Sequence, residues 1–447
     1  MKTIYKIGVT IVGLLTGIYQ VSAQELLTKE AAIIMTLENN YDIKLTANSL
    51  ETAKNNTSLY NSGYLPTLFT RAGASYDKND NDFTTVAGNS DSRDAIEARS
   101  YNASVGLNYV LFNGLGRYYT YNKLKETYNL TELQARSVLE NTLITLFSAY
   151  YEVARLSENV KSQKETLTIS RARMKRAKYG AEYGQNTQLD VLNADVDLNN
   201  DSIAYLSLDR ELANAKRDLN IVLGTDVNNE VLIDTTVVYL KGLNLDAIQE
   251  KTLSHNVAYL QVDKSLELSA YDVKINNSGW MPMVSLTSSY AWNKRNNDPI
   301  NPGNPFSTIS TSQTGINAGV SMSWNLFDGG STTTQVRNAK ILVDRLEIQK
   351  EQQIELLKRD VHNAWEFYQN ALFTLKVQKV NVETNKLNFK RSTEYYKLGQ
   401  ITSIDFRLAQ VNLINAEQTF SLAKYAAKNA ELRLLQLSGE IIANKQF

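Results

Sequence analysis

Ile316-Asn317-Ala318-Gly319-Val320-Ser321-Met322-Ser323-Trp324-Asn325-Leu326 sets an apolar side chain at every second position, with Asn, Gly or Ser between. A period of two held for about ten residues is what a strand crossing a membrane in a β-barrel requires. A sandwich strand with one solvated face shares the period. The polar positions here carry almost no charge, which favours the barrel. Tyr101, Ala103, Val105, Leu107, Tyr109 and Leu111 alternate with Asn102, Ser104, Gly106, Asn108 and Val110, and Val284, Leu286, Tyr290 and Trp292 with Ser285, Thr287, Ser289 and Asn293. A fourth run, residues 68–76, fits less well because Phe69 falls on the polar face. The polar stretches 77–97 and 294–312, crowded with Asn, Asp, Ser and Gly, read as long external loops.

These strands belong to a duplicated unit. Ser62-Gly63-Tyr64-Leu65-Pro66 recurs as Ser278-Gly279-Trp280-Met281-Pro282, and Leu111-Phe112-Asn113-Gly114 as Leu326-Phe327-Asp328-Gly329. Gly184, Thr187 and Asp190 recur as Gly399, Thr402 and Asp405, and Gly224 as Gly439. Four matches in one order at an almost constant offset define an internal repeat. The expected organisation is an export segment at residues 1–23, a first repeat at 24–224 and a connector at 225–242. A second repeat at 243–439 and a tail at 440–447 follow. Strands are expected at about 66–77 and 100–112, then at about 283–293 and 314–327.

Helical patterns fill the rest of each copy: residues 28–60 and 245–277 before the strands, and a proline-free run of more than sixty residues after them. That run stops near Gly184 or Gly399, and a last helix continues to Gly224 or Gly439. Leu139, Leu143, Leu146, Tyr150 and Val153 form a seam spaced by threes and fours, as do Ile354, Leu357, Val361, Trp365, Tyr368, Leu372 and Leu375. A helix over residues 115–178 would extend about 95 Å, far beyond a compact globule, so the helices are expected to form an extended wall.

Lys2 and Lys6, an apolar stretch at residues 7–19 and the small residues Val21-Ser22-Ala23 make an export signal ending before Gln24. Its removal takes two lysines, leaving 45 basic against 47 acidic residues and a net charge of −2, with no basic excess for nucleic acid. With no cysteine there can be no disulfide, thiolate metal site or lipidated N-terminal cysteine. No later window is apolar enough for a membrane helix, so the exported chain is either soluble or inserted as a barrel. The 25 tyrosines suit interfacial aromatic girdles. Because a lipid-exposed sheet edge is not tolerated and single-chain barrels start at eight strands, four strands demand partners. Two chains would close a narrow, side-chain-filled barrel, whereas three close twelve strands around a lumen.

The duplicated helix–strand–strand–helix–helix unit resembles the TolC family of outer-membrane efflux and secretion channels over nearly the whole mature chain. Its most specific pieces are the Ser-Gly-Tyr/Trp-x-Pro entry, the Leu-Phe-Asn/Asp-Gly exit, and the glycine turns with a downstream aspartate. The resemblance implies a mostly α-helical protein forming a homotrimer, with a twelve-stranded barrel in outer-membrane lipid above a long helical tunnel. It also implies a periplasmic membrane-fusion adaptor and an inner-membrane transporter of RND, ABC or MFS type as partners. Gly184 and Gly399 then correspond to the periplasmic tips where the adaptor docks. Asp405 corresponds to a constriction carboxylate, and Tyr396 with Asp190 to a pair that holds the tips closed. Bottom-up, the glycines are helix-terminating residues and the aspartates first-turn residues favoured by the helix dipole. The pattern departs from the family at Ile401, where well-known members have a basic residue, and at Leu408, where they have a second carboxylate. Arg407, Lys397 or apolar contacts are left to hold the gate.

The main alternative is a periplasmic coiled-coil adaptor or adhesin, which the long helices fit but the four alternating strands do not. An enzyme is the weaker rival. His255 and His362 are the only histidines, both in the second repeat and without a counterpart in the first. No phosphate loop, nucleophile elbow or His-Glu metal signature is present, so no cofactor, metal or catalytic residue is expected.

Overall fold

A computed structural model describes residues 26–84, 87–88, 90–297 and 309–442. The expected export segment and residues 443–447 of the expected tail lie outside the described residues. In chain order the elements are β1 (Leu26–Leu27), α1 (Lys29–Asn39), α2 (Tyr41–Asn56), β2 (Thr67–Thr84), β3 (Ser90–Asn113), α3 (Gly116–Glu182) and α4 (Gln188–Leu223). There follow β4 (Leu232–Ile233), α5 (Leu245–His255), α6 (Val257–Asn277), β5 (Met283–Asn297), β6 (Ile309–Ser323), α7 (Ser331–Lys397) and α8 (Ser403–Leu437). Each repeat thus supplies two short helices, a β-hairpin, a 67-residue helix and a helix of 35 or 36 residues. The long helices α3 and α7 reach about 100 Å each.

The four long strands form one antiparallel sheet in the order β2-β3-β5-β6, with β2 and β6 as its edges. Register explains the alternation. Thr70, Val105, Tyr290 and Ile316 lie in one row across the sheet, and Leu68, Leu107, Ser288 and Ala318 in another. Tyr109, Leu286 and Val320 continue the same face. The opposite face holds rows such as Asn108, Thr287 and Gly319. Phe69, the misfit, stands on this polar face opposite Gly106; a Cβ there would come within 2.5 Å of its ring. The ring occupies room the glycine leaves, with the Arg71 guanidinium 4.6 Å above it.

The strands depart from expectation at their ends. β2 continues to Thr84 and β3 begins at Ser90, so much of the expected loop 77–97 is paired backbone, with a register shift between Asn79 and Asn81. β5 continues to Asn297, while β6 starts at Ile309 and stops at Ser323, short of Leu326 and Phe327. Asn, Asp and Ser lower β-propensity, but a partner strand already in register overrides it.

The expected helices 28–60 and 245–277 are each broken once. Asn40 caps α2 through bonds from Asp42 and Ile43 N–H groups (2.9 and 3.2 Å), and Asn256 caps α6 through Ala258 and Tyr259 (3.0 and 3.3 Å). Each amide also donates to the end of a more distant helix. Asn40 reaches the Val222 carbonyl of α4 at 2.9 Å, and Asn256 the Leu437 carbonyl of α8 at 3.0 Å. The negative end of one helix therefore meets the positive end of the next, and α4–α2 and α8–α6 behave as two spliced rods beside α3 and α7.

Helix α3 packs against both α4 and α8, and α7 against α8, giving the lateral order α4-α3-α8-α7 in the lower half. In the half next to the sheet, α2-α3-α6-α7 is the order. The main core lies where these halves join, around Leu146, Phe147, Tyr150 and Tyr151 of α3, Leu219 and Leu223 of α4, and Tyr425 and Leu432 of α8. The connector 225–242 is fastened across it. Buried Lys428 donates to the Val238 carbonyl (2.8 Å) and to Glu431 (2.7 Å), and Glu431 accepts from the Leu240 N–H (2.9 Å). The Tyr150 hydroxyl donates to Leu27 (2.7 Å) and accepts from the Asp234 N–H (3.1 Å), joining the short β1–β4 pair to α3. Burial pushes that hydroxyl up to about 12.

Candidate functional site

The end of the helical layer farthest from the sheet carries the two glycine turns. α3 ends at Glu182, and Gly184 takes φ +70°, letting the Gln185 N–H reach back to Gly180 (2.7 Å) and its own N–H to Ala181 (3.1 Å). Gly399 takes φ +72°, with Gln400 bonded to Tyr395 (2.9 Å) and Gly399 to Tyr396 (3.1 Å). Both are Schellman closures, which need a left-handed residue and so favour glycine. A Cβ at either would meet nothing within 4 Å, so both turns are bare.

Each following helix opens with a capping box. The Asp190 N–H donates to the Thr187 hydroxyl oxygen (3.3 Å) and the Asp190 carboxylate accepts from the Thr187 N–H (2.9 Å). Thr402 and Asp405 repeat this at 3.1 and 3.2 Å. In both carboxylates the threonine hydroxyl bond first, and its backbone N–H second, hold the pKa below the ordinary range. Within one chain, then, Asp190 and Asp405 serve the bottom-up role of first-turn capping residues.

Tyr396 is not joined to Asp190 by a hydrogen bond among the described residues. Its ring stacks on Phe406 (centroids 4.7 Å apart, planes at 17°), with the Arg176 guanidinium 5.0 Å from its centroid. Even so, Asp190, Tyr396, Gly399 and Asp405 line one groove of about 750 Å³ between the two turns, with Arg176, Tyr179 and Ile401. Gly184 sits between two further lining residues, Tyr183 and Gln185. The fold brings the sequence-derived set together around a space rather than into direct bonds.

Sequence reasoning missed a charged cluster beside this groove. Arg407 of α8 grips Asp201 of α4 with both terminal nitrogens (2.8 Å each) and lies 3.5 Å from Asp197. Arg173 of α3 pairs with Asp197 and donates to the Ser403 carbonyl (3.3 Å). Ser170 donates to Asp201 at 2.5 Å, and Gln410 joins Ser170 and Arg407. One turn lower, Arg176 donates to the Lys397 carbonyl (3.1 Å). Of the two cations weighed for the gate, Arg407 is thus turned into the chain, while Lys397 enters through its backbone. Spacing gave no warning, because Arg407 and Asp201 lie 206 positions apart. The second turn sits beside Arg173 and Arg176, six to nine residues short of the end of α3 at Glu182, so the two turns are staggered.

Comparison with known proteins bears on the fold and the family. The family model described as "Outer membrane efflux protein" matches the chain twice, at residues 32–225 and 249–440, one match in each repeat. The outer membrane efflux protein BepC of Brucella suis is 21% identical over 344 residues, covering 74% of this chain and 72% of BepC. The outer membrane protein TolC of Vibrio cholerae is 20% identical over 314 residues, covering 69% and 70%. Among solved structures, the Campylobacter jejuni CmeC outer membrane channel is similar at a TM-score of 0.76 and 16% identity, over 92% of this chain and 85% of CmeC. The open-state MtrE outer membrane channel of Neisseria gonorrhoeae is similar at 0.67 and 16%, over 92% and 88%. With the matched family spanning both repeats and the fold shared along almost the whole length, the chain belongs to the outer membrane efflux protein family.

Proposed function

We propose that three copies of this chain form an exit duct, a twelve-stranded barrel in the outer membrane above a twelve-helix tunnel that passes substrates to the exterior. The observation that carries the reading is the sheet itself. Its apolar face is bare, with Leu68, Tyr290, Ile316, Val320 and Met322 exposed and no second layer over it among the described residues. A sandwich would cover that face, and an adaptor or adhesin has no use for it. Lipid would cover it, and lipid forbids the free edges of β2 and β6.

The helical layer leaves edges on the same plan. The outer helices α4 and α7 carry exposed seams of matching period: Leu189, Leu192, Val196, Ile203 and Leu206 on one, Phe373, Val377, Val380 and Leu387 on the other. Near its seam α4 is acidic (Asp190, Asp195, Asp209, Glu211), while α7 is basic (Lys376, Lys379, Lys386, Lys390). An edge-to-edge, head-to-tail contact of this kind closes into a ring, joining α4 of one copy to α7 of the next and β2 to β6. The groove between the staggered turns suits a helical hairpin from a periplasmic adaptor, which would link the duct to an inner-membrane transporter. Gly184 and Gly399 serve as the bare docking turns; Asp190, Asp405 and Tyr396 line the approach to the lower mouth.

Planar-bilayer recording from detergent-extracted protein tests the duct. Discrete channels from a trimeric species are expected. A mature protein that partitions with the soluble periplasm and needs no detergent would sink the reading.

A further inference from the structure

Charge is sparse on the polar face of the sheet. Where all four strands run side by side, from the row of Thr67 to that of Asp77, this face is mostly Asn, Ser, Thr and Gly. Three charged residues stand on it: Arg71, then Arg295 two rows farther from the helices, and Asp77 one row beyond. Two arginines against one aspartate leave each chain's wall with a net charge of +1, which Arg71 alone supplies. Arg295 donates to Asn297 (3.0 Å), whereas Arg71 is exposed and has no carboxylate partner among the described residues.

The surroundings of Arg71 are built to present it. Its row continues through Ser104, Ala291 and Gly315, all small and uncharged, and a Cβ at Gly315 would meet nothing within 4 Å. One row nearer the helices, the Phe69 ring lies in the space that Gly106 leaves, and the Arg71 guanidinium sits 4.6 Å above its centroid. A phenyl ring on a face of polar residues gains nothing by itself. Laid flat in a glycine notch, it offers its negative face to the guanidinium and lifts it off the sheet.

Twelve strands tilted by about 40° close at a backbone radius of roughly 12 Å. Three guanidinium groups lifted off that wall would keep the axis within a Debye length (~10 Å at ~0.1 M salt) of positive charge. We propose that Arg71, floored by Phe69, forms in the trimer a basic ring on the inner wall of the barrel. The ring gathers anionic solutes, those bearing carboxylate, sulfonate or phosphate groups, as they leave. This rests on the duct reading above, which turns the apolar face to lipid and the polar face to the lumen.

Because Asp190 and Asp405 lie towards the other end, overall ion selectivity would mix the two ends. A multivalent anion presented at the barrel end reads the ring alone. The test therefore measures block of single channels of the full-length trimer in planar bilayers by trisodium citrate, added to each compartment in turn. Wild type is compared with Arg71→Gln, Arg71→Glu, Arg71→Lys and Phe69→Leu. Lys358→Gln, in an exposed ion pair with Glu355, is the control. Trimer content and melting temperature are measured alongside. Wild type and the control should be blocked at severalfold lower citrate from one compartment than from the other. Arg71→Gln should raise that half-blocking concentration severalfold, and Arg71→Glu should abolish the difference between sides. Arg71→Lys, which keeps the charge and guards against misfolding of the other variants, should retain most of the block. Phe69→Leu should fall between wild type and Arg71→Gln. The ring is overturned if wild type shows no sided block, or if folded trimeric Arg71→Gln is blocked as wild type is. Absence of channels from wild type and every variant alike would instead overturn the duct reading on which the ring depends.

Discussion

Asn40 and Asn256 stand at equivalent places in the two repeats and do the same two jobs, capping one helix while bonding the end of another. Replacing Asn256 by Ala removes a cap worth about 1 kcal/mol and a buried bond worth about as much again. A lowered melting temperature of the solubilised protein checks this, and an unchanged one would remove the splice from the account. The glycines divide by neighbourhood. At Gly439 a Cβ would lie 2.5 Å from the His255 carbonyl, and at Gly224 2.5 Å from that of Asn39, whereas Gly399 and Gly184 open on space. Gly439→Ala should abolish assembled protein in the outer membrane. Gly399→Ala should cost only the left-handed strain of about 1 kcal/mol and leave assembly intact. Asp190 and Asp405 titrate below an unfolded value of about 4, so their capping contribution is complete above it and is lost as pH falls through the depressed value. Amide protection in the first turns of α4 and α8 should therefore be flat from neutral pH down to that range and then fall. Asp405→Asn should remove the acid response in α8 alone; a response that persists there would assign it elsewhere.

At the scale of elements, a span needs about 10 residues of tilted strand, and β3 has 24. From Ala98 to Asn113 it pairs with β5, whereas the stretch from Ser90 to Glu97 pairs, among the described residues, with β2 alone and forms a ribbon with it. Joining Lys78 to Glu97, which face each other across the ribbon, by an Asn-Gly turn should leave trimer yield and conductance close to wild type. Lost assembly would show that the ribbon takes part in closure. The strands were legible where apolar and small polar residues alternate, and illegible where Asn, Asp and Ser crowd, since composition there argues for a loop and only the partner strand argues otherwise. Phe69 was likewise unreadable alone, because its reason is Gly106 on the neighbouring strand.

For the whole molecule, the decisive property is that both layers end in unsatisfied edges. Ile203 and Leu206 on the α4 edge would each contribute roughly 2 kcal/mol on burial against a neighbour. Changing both to Asp should leave monomers in detergent by light scattering, with helix content kept. A persistent trimer would move the interface elsewhere. The absence of native cysteine makes engineered pairs between β2 and β6 a clean further probe of closure.

Periodicity and turn chemistry act over a few residues, and so the sequence by itself determined the duplication, the strand faces, the long helices and the glycine turns. What it could not determine was how surfaces hundreds of positions apart slide against one another. The lateral order α4-α3-α8-α7, the register that lines the four apolar faces into one and the stagger of the two turns were decided only by tertiary packing. A duplicated sequence predicts two equivalent tips. Packing sets one short of the other; Arg407 meets Asp201 across the hairpins, and Tyr396 stacks on Phe406 of its own hairpin, with no hydrogen bond to Asp190 among the described residues.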